Sequence, residues 1–169
     1  MGDQTNTVRP YGSRACAWTL FHAKPRPDNY WDSVPEYNER QYGQVMLDTV
    51  AKVPRSVMVK ASGDYADLID KARSGRATFG RGHRYDVDSL DSTEDVLELK
   101  WESLPPNYDT SPYVGLRLYF AEPISKPGLL LKLKLVCKID DTTQQTSDAL
   151  DSQDLFTRWN NERRKNNEK

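Results

Sequence analysis

With 169 residues, the chain is long enough for one domain with a hydrophobic core, and its length gives no reason to expect two. Its 24 lysines and arginines are offset by 25 aspartates and glutamates, and a net charge of -1 excludes a simple polycationic nucleic-acid binder. No apolar run reaches the roughly 18 residues of a membrane span, and the N-terminus lacks a signal-peptide pattern, so a cytoplasmic protein without membrane contact is expected.

Two cysteines, Cys16 and Cys137, and two histidines, His22 and His83, stand far apart in the sequence. Their spacing supports neither a zinc site nor a disulfide framework, so no metal and no cofactor are expected.

In chain order, residues 1–14 show no apolar periodicity and read as a flexible N-terminal segment. Cys16 to His22 alternates weakly and predicts a first strand, which the prolines of Lys24-Pro-Arg-Pro-Asp28 then interrupt. Ser33-Val-Pro-Glu36 has the residues of a capping box, and Tyr42, Val45, Met46, Thr49, Val50 and Val53 recur at helical spacing behind it. Pro54 ends that helix. Ser56 to Lys60 fits a strand or a helical turn, with helix favoured. Asp64 then caps a helix bearing Tyr65, Leu68, Ile69 and Ala72, which Gly75 stops. Residues 76–94 read as a loop, with Arg81, His83 and Arg84 ahead of a run of acids.

Three short runs follow: Asp95 to Trp101, Tyr113 to Ala121 and Leu129 to Lys138. Proline- and glycine-bearing connectors separate them, the pattern of an antiparallel meander. Alternation assigns their faces. Leu97, Leu99 and Trp101, Val114 to Phe120 by twos, and Leu129, Leu131, Leu133 and Leu135 form the expected core face. The opposite face carries Glu98, Lys100, Tyr113, Arg117, Tyr119, Lys132, Lys134 and Lys138, so it is cationic with tyrosines among the charges.

Charge is also blocked along the chain. Residues 126–138 hold four lysines and no acid, residues 140–154 hold five aspartates and no base, and Glu162-Arg-Arg-Lys165 is basic again. A last helix is expected with Leu155, Phe156 and Trp159 as its apolar stripe, serving either the core or a partner helix. Residues 161–169 are expected to be a disordered polar tail. The fold class that results is α+β: a single domain over residues 15–160, with a four-stranded, mainly antiparallel sheet in the order β-α-α-β-β-β-α.

Leu97-Glu-Leu-Lys100, Arg117-Leu-Tyr-Phe-Ala-Glu-Pro123 and Leu131-Lys-Leu-Lys-Leu-Val-Cys-Lys138, taken in this order of elements, resemble the RelE/ParE superfamily of bacterial toxins, in particular its HigB-like and phage-encoded branch. The resemblance spans residues 16–160. Lys100 stands where that family usually has arginine, and the chain is longer and more acidic than typical members. The resemblance implies a ribosome-dependent endoribonuclease (an mRNA interferase) that cuts messenger RNA and is held silent by a cognate antitoxin.

The residues suit that chemistry in part. Cleavage beside a 2′-hydroxyl needs the developing phosphorane charge met by donors already in place. Arg117 is the first candidate to grip the phosphate, with Lys100 and Lys138 on the neighbouring strands. Glu98 and His83 are alternative general bases. Tyr113 and Tyr119 can stack on a splayed base, while Lys132, Lys134, Arg81 and Arg84 are candidate RNA contacts. The rival reading is a non-catalytic protein that uses the same sheet to bind a protein or nucleic acid.

Overall fold

Strand β4, Gly115–Ala121, is buried at every residue, so both faces of the sheet are covered there. The computed structural model describes residues 29–38, 55–80, 85–102, 115–138 and 142–167. Around β4 lie β1 (Tyr30–Ser33), α1 (Arg55–Arg73), β2 (Val87–Ser89), β3 (Val96–Glu102), β5 (Leu129–Lys138) and α2 (Thr142–Asn167). The five strands form one sheet in the order β1-β5-β4-β3-β2. All neighbours are antiparallel except β1 and β5, which run parallel.

The α+β class therefore stands, with a mixed five-stranded sheet in place of the four-stranded one expected. β2 lies within the expected 76–94 loop, where its three residues are too few to show a periodicity. The expected strand at Cys16 to His22 lies outside the described residues, and Tyr30–Ser33 takes the edge beside β5. Ser33 ends a strand rather than capping a helix, and Val34 begins a turn closed by Tyr37 N donating to the Val34 carbonyl at 3.0 Å. The local cap pattern loses to the open backbone edge of β5 and to Trp31, whose ring packs edge-on against Phe120 at 5.4 Å. Residues 39–54, the body of that expected helix, lie outside the described residues.

α1 is one helix running through Gly63, with Ala61, Tyr65, Leu68, Ile69 and Ala72 turned to the core. It stops as expected at Gly75, whose φ is 70°. Arg76 N donates to the Lys71 carbonyl at 2.9 Å and Gly75 N to that of Ala72 at 3.0 Å, the paired bonds that finish a helix through a left-handed glycine. The Trp31 indole donates to the Ile69 carbonyl at 3.0 Å, and the Trp101 indole donates to Asp64 at 3.1 Å. These two bonds fix the helix against the sheet.

Helices cover opposite faces. α1 packs on Leu97, Leu99, Trp101, Leu116, Leu118 and Phe120, while α2 lays Ala149 and Phe156 over Val96, Tyr119, Ala121, Leu129, Leu131 and Leu133. One described helix lies on each face of the sheet, while the other expected helix falls on residues outside the described ones. α2 also runs on through the expected tail, to Asn167.

One irregularity decides which leucines go where. Tyr119 pairs with Lys134 and Phe120 pairs with Lys132, so Leu133 is an extra residue in β5. This bulge breaks the expected alternation. Leu129, Leu131 and Leu133 turn toward α2, while Leu135 stays with the α1 side. Lys132 moves across with them, to sit over the rings of Trp31 and Tyr37 at 5.9 and 5.5 Å.

Candidate functional site: a charge cluster sealed beneath a helix

Register brings several of the candidate residues together. Lys100 is paired with Arg117 and Glu98 with Tyr119 across β3 and β4, and Tyr119 is paired with Lys134 across β4 and β5. Lys138 is paired with Gly115, two residues from Arg117. His83, Arg81, Arg84 and Tyr113 lie outside the described residues. Lys132 is on the other face, against the expectation, because of the bulge.

The face is not open, however. Arg117 is 3% exposed, Glu98 is 1% exposed and Tyr119 is fully buried. Arg117 Nη2 donates to Glu102 Oε1 at 2.5 Å, and Nη1 donates to the carbonyls of Trp101 at 3.0 Å and Leu116 at 3.2 Å. Its Nε lies 3.4 Å from Glu98 Oε1. A guanidinium held this way has its planar fork turned into the protein, where a phosphate cannot reach it.

The lid is α2. Gln145 donates to both carboxylate oxygens of Glu98, at 3.1 and 3.2 Å. Lys134 Nζ is 2.7 Å from Asp148 and 2.8 Å from Asp151. Burial works against the charge on Lys134, but its bonds to Asp148 and Asp151 outweigh that and hold its pKa above the ordinary lysine value. On the third side, Lys100 is only 8% exposed and its Nζ meets Asp88 at 3.1 Å. Where a cationic surface was expected, Arg117, Lys100 and Lys134 form an internal network in which each has a carboxylate beside it.

Tyr119 completes the network. Burial, followed by the nearby carboxylates of Glu98 and Asp148, pushes its phenol above the usual range, and the hydroxyl is hydrogen-bonded to Glu98. A fully buried tyrosine under α2 cannot stack on a base. Glu98 is likewise unsuited to act as a general base, since its carboxylate is already engaged by Gln145 and lies beside Arg117.

The carboxylates that neutralise this face beside Glu98 are Asp88, Glu102, Asp148 and Asp151, and none of these, nor Gln145 that donates to Glu98, was a candidate from the sequence. The signal for two of them is present in the charge blocks: a lysine-rich strand followed directly by an aspartate-rich helix is the composition of two elements that pack on each other.

Two open clefts flank α2. One, of about 290 Å³, is lined by Asp88, Ser89, Asp91, Gln145 and their neighbours; the other, of about 340 Å³, by Glu36, Lys134, Asp151, Asp154 and Arg158 with two leucines. Each holds more carboxylates than cations, which disfavours a phosphate, and Arg117 lines neither. No group of three or more metal-ligating side chains occurs among the described residues, and no helix among them is long and apolar enough to cross a membrane.

The outward parts of α2 differ from its inner stripe. Phe156 stacks with Trp159 at 6.3 Å, and the Arg163 guanidinium lies over the Trp159 ring at 4.9 Å. Beyond Arg163 the helix is exposed on every side. Comparison with protein-family models, with curated proteins and with solved structures finds no match to this chain.

Proposed function

We propose that this chain is a non-catalytic binding module, in which the charged face of the sheet is a structural seam and partners are met by the outer surface. The supporting observation is the burial of Arg117 with its donors committed to Glu102 and to two backbone carbonyls. Stabilising a phosphorane requires donors aimed at the place where charge develops, within about 3 Å of it. Here those donors are aimed at groups of the protein itself.

The direct test is expression of the chain alone in bacteria, with growth followed and mRNA ends mapped by primer extension. Unimpaired growth with intact transcripts is expected. Growth arrest accompanied by new, ribosome-dependent mRNA ends overturns the reading.

One observation favours a second reading, that of a RelE/ParE-like mRNA interferase held by an antitoxin. Arg117, Glu98, Lys100, Tyr119 and Lys134 share one face, and the seam above them joins α2 through side-chain bonds at Glu98, Lys134 and Asp95 as well as through apolar contacts. In that reading α2 must lift for RNA to enter. Arrest seen only when Phe156→Ala loosens the helix, and absent with the unmodified chain, selects it.

A further inference from the structure

We draw no further inference here: the strongest candidate, the open cleft between the end of β2 and the first turns of α2, is a pair of carboxylates, Asp88 and Asp91, beside a helix N-terminus, and the buried Ser89 hydroxyl that lacks a hydrogen bond lies with its register partner Leu97 on the opposite, α1-facing side of the sheet, so nothing in the structure shows what would occupy it.

Discussion

Tyr119 of β4 faces Lys134 of β5 at the rung where β5 carries one residue more than its partner, and that residue is Leu133. The extra residue lets Leu129, Leu131 and Leu133 pack under α2 while Leu135 packs under α1. Deleting Leu133 restores a regular ladder but sends one of these sets to the wrong face, because side chains alternate with a period of two. The deletion variant should lose cooperative urea unfolding altogether. Leu133→Ala, which keeps the bulge, should cost about 2–5 kcal/mol by the same measurement.

Arg117 holds Glu98 and Glu102 in a buried setting, so removing it leaves carboxylates without their cation. Arg117→Ala should destabilise the fold by about 3–5 kcal/mol in chemical denaturation. The double variant Arg117→Met, Glu98→Leu should recover most of that loss, since apolar residues of similar volume often replace a buried ion pair at little cost. A double variant as unstable as the single would show that the network contributes more than its desolvation cost.

Two glycines should respond in opposite directions to alanine. A Cβ at Gly63, inside α1, would meet nothing within 4 Å, so Gly63→Ala should stabilise the protein by about 0.5–1 kcal/mol through helix propensity. At Gly80 the added atom would lie 2.7 Å from the ring of Tyr85, so Gly80→Ala should lower the melting temperature unless that ring moves. Thermal unfolding of the two variants side by side checks both.

Asp86 ties α1 to the approach of β2. Burial acts to raise its pKa, but Lys71 Nζ at 2.6 Å and the Thr78 amide and hydroxyl at 2.8 and 2.9 Å donate to it and hold it below the usual carboxylate range. A group whose folded pKa is lowered adds stability above its unfolded value, near about pH 4, and loses it as pH falls through the folded value. Stability should therefore drop in acid, and Asp86→Asn should flatten that limb while costing about 1–3 kcal/mol at neutral pH.

Lys134 should show the opposite limb. Its folded pKa is raised, so its contribution is complete below the ordinary lysine value of about 10.4 and is lost as pH rises through the folded value. Lys134→Met should remove that alkaline dependence, read from urea midpoints between pH 8 and pH 11.

Much of the sheet was legible from local pattern. The three runs of the meander appear at nearly the expected positions because each is a short apolar-rich run bounded by proline- and glycine-bearing connectors, and Gly75 ends α1 where a left-handed residue was needed. Ser33 misled because capping residues and turn residues are chemically the same, and only the neighbouring edge of β5 selects between them. The tail misled because a run of polar residues is compatible with a helix once packing upstream has nucleated it.

The sequence alone determined the existence and composition of the elements: leucine runs with a period of two, a glycine stop, and blocks of lysine and aspartate. Tertiary structure decided their relations: the bulge at Leu133, the parallel edge at Tyr30–Ser33, and the seating of α2 over Arg117. The physical reason is that periodicity reports whether a face will be covered but carries no information about the covering element. Whether a row of cations meets water, a nucleic acid or the chain's own aspartates depends on contacts between residues far apart in sequence, such as Gln145 with Glu98.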